Sequence, residues 1–596
     1  METTTSHNVT SHSTETPHDT SKYQDDRNFT SAIVDEQTIG AEQGQQEESP
    51  ALQQSTSTKQ VSTSDLPEEL RISHVKGLSL LDQQQYAYAT EMLREAFELR
   101  KHNLGTHHAD TLASLCALGD ALFGQEKYAE AESAYRDVWM RRKRVLGQEH
   151  EDTLLSLHKL GGALFAEEKY VEAESMFRDA WETRKRAFGI YSEGTLISLG
   201  RLGDALYYQK RYAESEVVYR DVWKLQRRVL GEDHKNTLFF LYRQGRASFL
   251  QVKYTEAERI FQDAWEGRKK TLGEDHEDTL DSLAALGNAV YRQQKYLDAQ
   301  VLDQELWLAR KRALGENHRR TLSSLHLLGR TFYIQGRYTE AESIYRDAWE
   351  GRKQALGDEH KDTLDSLYWL GRTLHQQEKY AEAEVVFRDS SNGQKQSLGE
   401  HDHHTLDSLH WLGLALEKQE MFVKAEAIFQ NVWERRKRAL GEHHKDTLDS
   451  LYWLGQTLYQ QEKYAEAEVV FRDISKQRKR TVGEQDQHSL DSLYWLGLAL
   501  EKQKNYKEAK DVYRETWWGQ SQVLGDRHPH TSRSYNQFMR CPVPQEFSAS
   551  FEQTEARTEA QTSAQAQTTP LKKTGVWRVL RFRKPSASPD GSSQTP

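Results

Sequence analysis

The chain has 596 residues, with 91 acidic against 80 basic side chains, ten prolines and two cysteines. No apolar run is long enough to span a bilayer, and Cys116 and Cys541 alone cannot build a disulfide framework. The first residues show no charged-then-apolar leader, so a reducing, cytoplasmic setting is expected.

Residues 1–65 are rich in Ser, Thr, Gln and Glu and carry no heptad pattern, which predicts a disordered tail. Every proline then lies at or before Pro67 or at or after Pro529. Proline inside a helix costs about 3 kcal/mol, so the stretch between them reads as a long helical array over 66–540.

An internal repeat confirms the reading. The string T-L-x-S-L-x-x-L-G recurs with its threonine at 111, 153, 195, 237, 279, 321, 363, 405 and 447, continued by Ser489 and Thr531, always 42 residues apart. About eleven units and a partial twelfth follow, and repeats of this length mean a solenoid. Within a unit, Leu112, Leu115, Leu118, Gly119 and Leu122 share one face of a first helix, helix A. Ala131, Tyr135, Val138 and Trp139 share a face of a second, helix B, which stops at Leu146-Gly147. Such a hairpin cannot bury its apolar face alone, so neighbours must stack.

The small and aromatic positions, as in Leu118-Gly119, Ala131 and Tyr135, resemble the tetratricopeptide repeat. The 42-residue unit and the connector L-G-E-D-H-K-N-T-L at 230–238 resemble its kinesin-light-chain type. The resemblance implies an all-α, right-handed superhelical solenoid of antiparallel helix pairs, working as a scaffold or cargo adaptor without chemistry of its own. The chain differs from a true kinesin light chain in lacking an N-terminal coiled coil. It also places Tyr/His-Trp pairs where that family tends to place paired asparagines, so a stand-alone repeat protein with a different ligand is expected.

Residues 363–446 and 447–530 look like two copies of one 84-residue block, with Q-Q-E-K-Y-A-E-A-E-V-V-F-R-D at 376 and 460 and L-G-L-A-L-E-K-Q at 412 and 496. Numbering each unit from its first leucine, positions 2, 5, 6, 9 and 13 form a stripe apart from the buried one, and the resemblance places that stripe on the concave face. There the C-terminal units put Asp365, Asp407, Asp449 and Asp491, the pairs Tyr368-Trp369, His410-Trp411, Tyr452-Trp453 and Tyr494-Trp495, and Arg372 and Gln456. These are the candidate peptide-binding residues, an acidic and aromatic channel suited to cations and apolar groups. Two other readings stand beside it: the aspartates suit the positive end of helix A, and the tryptophans suit a wedge between adjacent A helices.

Histidines recur three residues before the threonine and read as connector residues, because equivalent atoms in stacked units lie too far apart to share a metal. Basic runs such as Arg435-Arg436-Lys437-Arg438 close the B helices as dipole complements. Charges across the array nearly balance, so nucleic acid is not an expected partner. No phosphate-loop, zinc-protease or nucleophile-elbow motif occurs, and neither an enzyme nor a cofactor is expected.

The tail, 541–596, reads as disordered apart from a basic-aromatic segment at 572–584. Its contact candidates are Lys572, Lys573, Trp577, Arg578, Arg581, Phe582 and Arg583, suited to an anionic membrane surface, an acidic partner, or the chain's own groove. The function expected is capture of partner peptide segments along the concave face, with regulation at a membrane surface or autoinhibition through this segment as the alternative.

Overall fold

The computed structural model describes residues 68–481 and 486–542. The tails expected at 1–65 and beyond 542 lie outside the described residues. Among those described there are 23 helices and no strand. They run from α1 (Glu68–Asp82) and α2 (Tyr86–Leu104) through successive A and B helices, and α23 (Pro529–Arg540) closes the series as a helix A without its partner. Each helix packs chiefly on the one before and the one after it in the chain, so the architecture is an all-α solenoid.

Local chemistry sets each helix end. Histidine is the usual N-cap of helix A: His360 and His444 accept the main-chain N–H of Asp362 and Asp446 through Nδ1, at 3.1 and 3.3 Å. Asp402 and Asp486 cap two of the helices that lack the histidine, while Ser192 holds that place in a third without a side-chain cap bond. Between A and B, Lys127 N–H bonds back to Leu122 O at 3.0 Å, with Glu126 at φ 62°. Helix B stops at a glycine in the left-handed region, such as Gly357 at φ 94°.

Packing follows the repeat. Leu364, Leu367, Leu370 and Leu374 of α15 (Lys361–Gln376) are buried, and Gly371 faces Phe387 of α16 (Tyr380–Leu398) so closely that a Cβ there would stand 2.7 Å from the ring. Two polar staples recur between neighbouring units. The glutamine after helix A reaches back one unit: Gln251 Nε2 donates to Tyr212 O at 3.2 Å and to Glu216 at 2.7 Å. The second staple is an arginine buried near the end of helix B. Arg352 Nη1 donates to Asp362 O at 2.7 Å and to Ser366 Oγ at 2.8 Å, both on the next helix A. Arg100, Arg142, Arg184, Arg268, Arg310, Arg436 and Arg478 repeat the arrangement.

The apolar core is continuous from Ala341 to Cys541 but gives way to a polar layer just before it. There Asp303, 2% exposed, occupies the place of the usual helix-B aromatic and accepts from Thr331 Oγ1 at 2.6 Å. Burial holds its carboxyl above the ordinary range.

Candidate functional site: the helix-A stripe of the C-terminal units

Four further helices complete the site: α17 (His403–Lys418), α18 (Phe422–Leu440), α19 (Lys445–Gln460) and α21 (Gln487–Lys502). Each position-6 tryptophan lies over the helix-B aromatic of the preceding unit. Trp369 stacks on Tyr345, Trp411 on Phe387, Trp453 on Phe429 and Trp495 on Phe471, with centroids 6.0–6.4 Å apart and planes within 24°. The position-5 residue meets the aromatic of its own helix B from the other side: Tyr368 on Phe387, His410 on Phe429, Tyr452 on Phe471 and Tyr494 on Tyr513. All four tryptophans are half-buried: one face packs on the core and the rest is not covered.

Arg372 lies between two of them. Its Cζ is 4.5 Å from the Trp369 ring and 4.8 Å from Trp411, with Tyr333 and Tyr368 at 5.4 and 5.8 Å. The chain thus brings Tyr368, Trp369, Arg372 and Trp411 together around one guanidinium. Gln456, the equivalent residue one block later, is 9% exposed, and Tyr494 is buried too.

The aspartates do not form the open acidic channel that composition suggests. Asp407 pairs with Arg436, and Asp449 with Arg478 at 2.5 Å, so the arginine that staples two units also neutralises the position-2 carboxylate of its own helix A. Asp365 faces His326 Nε2 at 3.3 Å, and burial pushes its carboxyl up to about 6. Asp491 lies 3.7 Å from His530, whose ordinary value the contact raises. None of them caps its helix, because that place belongs to His360, Asp402, His444 and Asp486.

Residues absent from the sequence-based set complete the stripe. Tyr333, His375 and Tyr459, at position 12, meet the next tryptophan edge-on at 5.3–5.5 Å. Burial lowers His375 to about 4 and holds His410 well below its ordinary range. The staple arginines carried a signal in the sequence, the fixed spacing of arginine and serine fourteen residues apart, hidden inside runs of exposed basic residues. The tail candidates Lys572, Lys573, Trp577, Arg578, Arg581, Phe582 and Arg583 lie outside the described residues. Among the described residues, Asp402, His403 and His404 form one group close enough to hold a cation. It sits at the N-terminus of α17, where Asp402 already accepts from His404 N–H at 2.9 Å, and the positive helix end opposes a metal. No helix among the described residues is long and apolar enough to cross a membrane.

The chain matches Tetratricopeptide repeat models over 245–278, 279–320, 321–362 and 363–404, over 68–138, 152–222 and 404–480, and over 491–517. No curated protein matches it. Similar solved structures include nearly identical TPR-like repeats of a putative kinesin light chain from Podosopora anserina, at 21% identity and TM-score 0.32, covering 34% of this chain and 97% of that one. Another is BtubC (BKLC) from P. vanneervenii, at 13% identity and TM-score 0.34, covering 39% of this chain and 91% of that one. With family matches across more than half its length and helix pairs stacked at the same 42-residue period, the chain belongs to the tetratricopeptide-repeat family.

Proposed function

We propose that the solenoid captures extended peptide segments of partner proteins along its concave face, through the helix-A stripe of its C-terminal units. The tetratricopeptide-repeat fold is in general a non-catalytic scaffold for protein–protein interaction. The observation that carries the finer reading is the row of four half-buried tryptophans, one per unit, each fixed by stacking and each with surface left to offer. Rigid aromatic anchors in register suit an extended chain, because little side-chain freedom is lost on contact. Carboxylates closed by internal arginines contribute little net charge, so the selectivity comes from ring faces and from single polar groups between them.

The test is affinity capture with the full chain as bait, comparing the wild type with Trp411→Leu/Trp453→Leu. Leucine keeps apolar volume against Phe387 and Phe429 while removing the ring face. Loss of the specifically captured partners with melting temperature nearly unchanged supports the reading. Identical capture by both chains refutes it.

A further inference from the structure

The two 84-residue blocks differ at one place in a way that identifies a ligand. In the first, Tyr368, Trp369 and Trp411, joined by Tyr333 of the unit just before it, surround the guanidinium of Arg372. Moving each residue on by 84 gives Glu417, Tyr452, Trp453, Trp495 and Gln456. The aromatic walls remain, the internal cation has become a neutral amide, and one wall has become a carboxylate.

That carboxylate is short of donors. The Glu417 side chain is 10% exposed and its Oε2 forms an ion pair with Lys418 at 3.3 Å, but that oxygen accepts no hydrogen bond. Its counterpart one block later, Glu501, accepts from Tyr513 Oη at 2.7 Å. Glu417 has no such donor, because the residue in that place is Phe429. Glu417 holds position 12 of its unit, the register from which Tyr333 and Tyr459 meet the next tryptophan at 5.5 and 5.4 Å, and the tryptophan next in register to it is Trp453.

We propose that the box of Glu417, Tyr452, Trp453 and Trp495 receives the guanidinium of an arginine carried by the bound peptide. The ligand arginine takes the place that Arg372 fills inside the preceding block. Its planar face lies between the tryptophans as Arg372 lies between Trp369 and Trp411, and its N–H groups donate the hydrogen bond that Glu417 Oε2 does not receive from Lys418. Lysine fits less well, because an ammonium cannot stack and donate in one plane. The inference rests on the groove reading above and adds to it one side-chain subsite and its chemistry.

The test uses N-acetyl-arginine amide as the probe and N-acetyl-lysine amide as its control, titrated against the full chain by ligand-observed NMR. The arginine amide is expected to bind about ten-fold more tightly than the lysine amide. Glu417→Gln should weaken it by about ten-fold. Gln456→Arg, which rebuilds the internal cation, should abolish binding with the melting temperature unchanged or raised. Should that variant fail to fold, Glu417→Gln with intact helicity carries the test. Equal affinity for the two amides, or undiminished binding to Gln456→Arg or to folded Glu417→Gln, overturns the proposal. Tighter binding of the probe to a chain with Arg578, Arg581 and Arg583 replaced by Gln supports the box and identifies the chain's own arginines as competitors for it. Failure of the titration alongside loss of partner capture in Trp411→Leu/Trp453→Leu rejects the box while leaving the groove reading in place.

Discussion

Replacing Arg436 by Ala should destabilise the array far more than replacing Arg438, two residues on in the same basic run. Arg436 is 5% exposed; it donates to Asp446 O at 3.1 Å and Ser450 Oγ at 2.8 Å and pairs with Asp407. Losing a charge-assisted hydrogen bond costs about 1.5–3 kcal/mol, and losing the buried stem adds roughly 1 kcal/mol more. The ion pair adds only about 0.5 kcal/mol, because the Asp407 side chain is 42% exposed and is rehydrated once its partner goes. Relief of the desolvated guanidinium offsets part of this, leaving about 3 kcal/mol for Arg436→Ala. Arg438, with 71% of its side chain exposed and a single contact to Glu434 at 4.0 Å, should cost less than about 0.5 kcal/mol. Arg436→Gln should fall between, at about 1 kcal/mol, because Gln394 and Gln520 hold the corresponding place elsewhere and accept from Ser408 and Ser534 Oγ at 2.7 and 2.8 Å. A repeat array does not unfold as one unit, so the assay is hydrogen exchange of amides in α17, α18 and α19 rather than a single melting midpoint. Equal protection in Arg436→Ala and Arg438→Ala would refute the staple.

Tyr345→Phe should stabilise the chain by about 1 kcal/mol in urea unfolding, because this buried hydroxyl has no partner; Tyr219→Phe, whose hydroxyl donates to Asp204 at 2.7 Å, should destabilise it. Gly371→Ala should cost about 1–3 kcal/mol by driving a methyl into Phe387, while Gly162→Ala, with open space around it, should be neutral or stabilising; the paired melting temperatures decide. Acid should weaken the fold between pH 6.5 and 4. Burial lowers His74 and His375 to about 4 and holds His158, His326 and His410 well below the ordinary value, so the unfolded chain takes up these protons first. Asp303 and Asp365, both raised by burial, act the other way and gain stability as pH falls through their raised values, as do the exposed Asp263 and Asp347 to a smaller extent, but the five buried histidines outnumber the two buried carboxyls. Urea midpoints at pH 7 and pH 5 check this, and a higher midpoint at pH 5 would contradict it.

The repeat period, the two helices of each unit and their buried faces were legible in the sequence, because they depend on spacing along one chain. A leucine recurring on one helical face, and a glycine just before the connector, have the same meaning in every unit. The site was legible only in outline. Composition marked Asp407 and Asp449 as candidates, but whether a carboxylate faces a ligand or an internal arginine depends on helix B folding back across 29 residues. Position 6 marked the tryptophans, yet their half-burial follows from the rise between units, which lets each ring reach the aromatic of the unit before it. Arg436 and Arg438 differ by two positions in one basic run. Helical rotation turns the first into the next unit and the second toward solvent, and only the stacking of neighbours gives those directions different energies.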